Sequence, residues 1–147
     1  MSENAGTQEI LAVEAANVEF YAAFESADLD RMALAWDDDP VTCVHPGWSA
    51  LRGRSHVLRS WAVIMANTVY IQFFLTDVQT TVDGDVAVVT CTENILTGDD
   101  DGGVGLESAR VMATNVFRRR AAGWRLFVHH GSPVLAAGPA PDEDLAG

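Results

Sequence analysis

Residues 41–65, VTCVHPGWSALRGRSHVLRSWAVIM, hold the side chains best suited to chemistry. His45 closes an apolar alternation through Val41 and Cys43, so it shares the strand face that carries the apolar side chains. An imidazole there can face a cavity and take a proton near neutral pH. Pro46 fixes its own φ and Gly47 permits an unusual one, so the chain must turn sharply just beyond the histidine, and that turn sets its aim. A structural histidine bonded to its own turn is an equal alternative to one that contacts a ligand. Trp48 follows in a loop, where packing does not automatically claim it. Near the other end His129 and His130 are adjacent and point to opposite faces. Alternation groups His130 with Trp124, Leu126 and Val128, so His130 is expected to face inward unless a bulge reverses the faces. Such a pair is poorly placed to hold one metal ion, and no HxH or HExxH spacing occurs, so neither a metal nor a cofactor is expected.

Positioning these groups falls to one domain of 147 residues, large enough to bury a core without staples. Its 48% hydrophobic content and mean hydropathy of +0.08 are high for this size and imply a buried interface or an apolar pocket beside the core, a homodimer being the simplest form. A net charge of −12 would repel a phosphate backbone and an anionic bilayer, which argues against nucleic acid and membrane as partners. Cys43 and Cys91 sit in apolar strands and read as buried thiols, a disulfide between them being left open. The first residues lack a basic and apolar leader, and no apolar run approaches about 20 residues, so a soluble cytoplasmic protein is expected.

Residues 1–8 read as a flexible start, with Thr7 as the cap of a first helix whose stripe is Ile10, Val13, Asn17, Phe20 or Tyr21, and Phe24. Asp28 caps a second helix that Asp37, Asp38, Asp39 and Pro40 stop, the acidic triplet being a solvated signal. Arg52 and Arg54 are expected to be solvated or paired with that triplet, and Arg118, Arg119 and Arg120 to form a local surface patch. A turn at residues 51–54 leads to Ser55 as the cap of a third helix with Val57, Leu58, Trp61, Ile64 and Met65 on its apolar face. Period-two patterning then gives four strands at residues 69–78, 85–97, 107–119 and 124–130. Asp83-Gly84 signals a tight hairpin, and the short connections fit an antiparallel meander. The acidic glycine loop at residues 98–103 lacks the terminal Glu of a calcium loop, and residues 136–147 read as a disordered acidic tail.

The strings FYAAFESADLD (20–30), VTCVHPGW (41–48), LRGRSHVLRSW (51–61) and WRLFVHHGSPV (124–134), in this order of elements, resemble the NTF2-like superfamily, in particular its SnoaL-like and DUF4440-type branch, over residues 9–135. The resemblance implies an α+β, cone-shaped fold with three N-terminal helices packed on a curved, mostly antiparallel sheet. It is similar in architecture to ketosteroid isomerase, whose base is a carboxylate before a proline and whose oxyanion hole is a Tyr plus a protonated Asp. At the corresponding places this chain has His45 before Pro46, Phe20 with Tyr21 beside it, and Asn115. The implied site therefore has His45 as base or acid and Asn115 as the amide that polarises a substrate oxygen, with Tyr21 or His130 assisting. Trp48, Trp61, Met65 and Phe117 complete the substrate-binding set, as walls for a small apolar carbonyl compound. The family also includes non-catalytic homodimers that bind ligands or partners, and fold alone does not choose among these.

Overall fold

The computed structural model describes residues 3–99 and 105–135. Helices α1 (Glu3–Glu25) and α2 (Leu29–Ala35) precede strands β1 (Thr42–Val44) and β2 (Leu51–Arg52), helix α3 (Arg54–Ala66) and four long strands: β3 (Tyr70–Asp83), β4 (Val86–Gly98), β5 (Glu107–Arg120) and β6 (Gly123–Pro133). The expected acidic tail and the centre of the acidic glycine loop lie outside the described residues.

Helix α1 begins ahead of the expected Thr7 start. Its three- and four-residue spacing turns Val13, Asn17, Phe20 and Tyr21 into the protein while Ile10 remains partly exposed. Asp28 caps α2 as expected, accepting the Arg31 backbone N–H at 3.1 Å. Helix α3 does not use Ser55. It starts from Gly53 at φ 96°, and the Asp39 carboxylate accepts the Arg54 backbone N–H at 2.6 Å, so a group distant in sequence supplies the cap.

The six strands form one sheet in the order β2-β1-β6-β5-β4-β3, antiparallel except where β1 runs parallel to β6. The β3–β4 hairpin closes in a two-residue turn with Gly84 at φ 62°. Two irregularities bend the sheet. The β3–β4 register shifts between Thr76 and Gln79, where Asp77 adopts φ 51°. In β6, Val128 pairs with Val116 and Leu126 with Phe117, which leaves Phe127 as an extra residue. That bulge reverses the alternation, so Trp124 and Leu126 are buried before it and His129 and Gly131 after it. His130 is exposed, which corrects the expectation that it faces inward. The helices cover the face carrying Ala87, Val89, Cys91 and Glu93 of β4 and Ala113, Asn115 and Phe117 of β5. Cys43 and Cys91 are buried free thiols.

The acidic triplet is more than a stop signal. Asp37 is buried and accepts from Arg118 Nε at 2.7 Å and Arg120 Nη2 at 2.8 Å, while Arg118 also donates to the Pro40 carbonyl at 2.9 Å. Burial alone would raise the Asp37 carboxyl, but the bonds from Arg120 and Arg118 outweigh it and hold the group below its usual range. Arg118 and Arg120 are thus anchors for the strap between α2 and β1, not a free patch, and Arg54 reaches the same strap through the carbonyls of Trp36 and Asp37 and the end of α2 through that of Ala33. Asp37→Asn should therefore cost about 2 kcal/mol, read as a lower urea midpoint at unchanged slope. An unchanged midpoint would show that the pairing contributes nothing net.

Candidate active site

His45, Pro46, Gly47 and Trp48 form a tight turn closed by the Trp48 N–H donating to the His45 carbonyl at 2.8 Å, with Gly47 at φ 83° in the third position. The turn rests on Gly131 of β6, where an added Cβ would lie 3.1 Å from both Pro46 and Val111. So placed, the imidazole is 4% exposed and lies between two indoles, its ring centre 4.8 Å from that of Trp48 and 4.7 Å from that of Trp61. Ser60 donates to the Val57 carbonyl at 2.6 Å, so its oxygen is left to accept from His45 Nε2 at 2.9 Å. This assigns the proton to Nε2 and a lone pair to Nδ1. Burial lowers the pKa of His45 to about 4, which keeps the ring neutral at physiological pH.

A second group of polar side chains is built on α1. Asn17 and Tyr21 are one helical turn apart and meet Asn115 of β5, which is fully buried. Asn115 Nδ2 donates to Asn17 Oδ1 at 2.8 Å and to Tyr21 Oη at 3.0 Å, while its Oδ1 accepts from His129 Nδ1 at 2.6 Å. Tyr21 in turn donates to Glu93 Oε2 at 2.6 Å. Each donor thus feeds the next, from His129 through Asn115 and Tyr21 to Glu93. Burial lowers His129 to about 3 and raises Glu93 to about 7, the Tyr21 bond opposing the latter. Burial likewise pushes the Tyr21 hydroxyl well above its ordinary value, so it stays protonated.

Both groups border one cavity of about 290 Å³ between α1, α3 and the concave face of the sheet. Of the residues singled out from sequence, Tyr21, His45, Trp48 and Trp61 line it. Asn115 does not touch the cavity and acts on it through Tyr21 and His129. Met65 and Phe117 are core residues outside the lining, and Ile64, one position earlier on α3, takes the wall place expected of Met65. His130 is replaced by His129 through the β6 bulge. Phe20 and Tyr21 both reach the cavity, their ring centres 4.9 Å apart, so a hydroxyl stands beside the phenylalanine. Sequence reasoning missed Glu93, although its alternation with Val89 and Cys91 places a carboxyl on an apolar face. A larger, open depression of about 460 Å³ on the opposite sheet face is bordered by Phe74, Asn94, Arg110 and Leu135 and holds no buried titratable side chain.

The raised Glu93 pKa has a defined effect on stability. A carboxyl that titrates near 7 when folded, against 4.5 when solvated, stabilises the fold fully below the lower value, and that contribution is lost as pH rises through the higher one. The loss amounts to about 3 kcal/mol. Glu93→Gln should match the parent at pH 4 and exceed it by up to about 3 kcal/mol at pH 9, followed by urea unfolding at both values. Equal stability of the two proteins at pH 9 would show that Glu93 ionises without penalty.

Comparison with known proteins places this geometry in a family. Residues 13–136 match the family model described as the SnoaL-like domain. A candidate dehydratase of the NTF2-like family from Streptomyces avermitilis has a similar structure, with 51% identity, 89% of this chain and 99% of that chain covered, and a TM-score of 0.82. A candidate calcium/calmodulin-dependent protein kinase type II association domain from Thiobacillus denitrificans shares 35% identity over 82% of this chain and 94% of that one, with a TM-score of 0.73. Among curated proteins, the F-box protein SKIP8 of Arabidopsis thaliana is 29% identical over 84% of this chain, which spans 50% of the SKIP8 length. With the helices, the curved sheet and the matched residues in agreement, the chain belongs to the SnoaL-like family of the NTF2-like superfamily.

Proposed function

We propose that the cavity binds a small, uncharged carbonyl compound and moves a proton on it, as an isomerase, dehydratase or cyclase does, with His45 as the base. The observation that carries this reading is a neutral imidazole in the wall of an apolar cavity, with Nε2 engaged by Ser60 and Nδ1 left as the acceptor, its nearest polar neighbour the weakly donating Cys43 thiol at 3.9 Å. The described lining residues include no Lys or Arg, so an anionic ligand would find no counter-charge. Its aromatic walls suit a flat ligand, and its volume at interior packing density suits roughly a dozen heavy atoms. The name of the 51%-identical neighbour, a candidate dehydratase, supports the same class of chemistry.

The reading extends to a single domain over residues 9–135 acting as a cytoplasmic homodimer without a cofactor. Phe74, Val86 and Met112 support the dimer, being exposed on the sheet face turned away from the helices. The competing reading is a non-catalytic homodimer that binds a ligand or partner, and it is favoured by the likeness to a kinase association domain.

Exchange of the α protons of α-tetralone in deuterated buffer, followed by NMR, separates the two. The parent protein should accelerate exchange, and His45→Gln should lower the accelerated rate by about 100-fold with little change in binding. Because the base is active only when neutral, the parent rate should fall as pH drops below about 4. Binding of the ketone without any acceleration would favour the competing reading. Unchanged exchange in the variant would remove His45 from the mechanism.

A further inference from the structure

The cavity wall contains four titratable side chains: Tyr21, His45, Glu93 and His129. His45 is used above as the proton acceptor, and His129 spends its Nδ1 proton on Asn115. Glu93 is left, a carboxyl 4% exposed in a wall that holds no cation among the described residues. We propose that Glu93 is a second catalytic residue, a carboxylic acid that hydrogen-bonds the oxygen of the bound carbonyl compound and protonates it while His45 removes the α proton. This rests on the reading of the cavity given above.

Two features of the geometry support it. The chain of bonds has a direction: Asn115 donates to Tyr21, and Tyr21 spends its own proton on Glu93 Oε2. Tyr21 is therefore not available to donate to a ligand, and the transferable proton next to it is the one on Glu93. Secondly, His45 and Glu93 offer complementary functions in one cavity, a lone pair on a nitrogen and an acidic proton on an oxygen.

In the step itself, the α C–H bond breaks and its proton passes to His45 Nδ1. The C–H electron pair becomes the enol double bond, and the carbonyl π pair takes the Glu93 proton. The products are the enol, an imidazolium and a carboxylate, and total charge is conserved. Asn115 and His129 are positioning residues in this scheme, since they act through Tyr21.

Groups facing Glu93 all favour its neutral form or leave it unchanged, apart from one hydrogen bond. From α1 comes Tyr21, whose bond favours the carboxylate, from β4 the protonated thiol of Cys91, and from the turn after β1 and from β6 the neutral His45 and His129; α3 brings Trp61 and Ile64 to the cavity, and β3 brings Ile71 and Phe73. Burial outweighs the Tyr21 bond and sets the titration near 7.

The α-tetralone exchange assay tests the assignment through its pH profile. Exchange by the parent should be level between about 4 and 7, with His45 neutral and Glu93 protonated, and should fall about tenfold per pH unit above 7. Glu93→Gln should lower the plateau by about 100-fold and abolish the upper limb. Tyr21→Phe should move that limb to higher pH, because the bond it removes favours the carboxylate. A rate that rises through pH 7 would make Glu93 a base, and an unchanged rate in Glu93→Gln would exclude it; either overturns the proposal. Should the parent not accelerate exchange, the broader reading fails, and Glu93 is judged by binding alone, from quenching of tryptophan fluorescence by α-tetralone. Affinity that weakens above pH 7 in the parent but not in Glu93→Gln would support the hydrogen bond to the ligand. Affinity independent of pH in the parent, or no binding, would overturn it.

Discussion

Asn115 is the side chain on which the interior depends. It is fully buried where α1, β5 and β6 meet, and its carbonyl and amide together satisfy His129, Asn17 and Tyr21. An amide is suited to that place because it accepts on one side and donates twice on the other without carrying charge. A carboxylate there would donate nothing to Asn17 or Tyr21, and an aliphatic residue would take away the partner of the His129 Nδ1–H and of the Asn17 carbonyl. The arrangement also fixes the phase of α1 against the sheet, since Asn17 and Tyr21 must both point at one strand position.

The folded core keeps its two histidines neutral and its one cavity carboxyl hard to ionise, all for the same reason: removal from water disfavours charge of either sign. Their consequences for stability run in opposite directions. Histidines whose folded pKa is depressed lose stability as pH falls below the ordinary histidine value, and Glu93 loses it as pH rises toward 7. Below about pH 7 the site is thus stored in an uncharged state, and the ion pairs of Asp37 with Arg118 and Arg120 involve none of the residues that line the cavity.

Much of the fold was legible because the periods were clean. The helical stripe of α1, the cap at Asp28, the alternating strands and the turn after His45 all follow from local rules, and the family strings added the topology. What escaped depended on geometry beyond one element. The extra Phe127 in β6 has no signature in an alternating pattern, so parity counted through it selected His130 over His129. Met65 and Phe117 have the right hydrophobicity for a wall, but whether an inward side chain meets a cavity or a neighbour is decided by packing across layers. Asp37 was read as a surface group because its partners come from a strand some 80 residues later. Glu93 was within reach: a lone carboxyl in phase with Val89 and Cys91 is the kind of local conflict that marks a site.

The seat that Gly131 provides for Pro46 gives the protein an unusual inheritance. The aim of the imidazole is set partly by a missing side chain on the last strand, far from it in sequence, because even a methyl group there would press on both Pro46 and Val111 until one of them gave by a few tenths of an ångström. The two positions therefore form one mutational unit. A lineage that admits a larger residue in place of Gly131 can re-aim His45 without ever altering it, so divergent chemistry among descendants of this chain can begin at a position that carries no chemistry of its own.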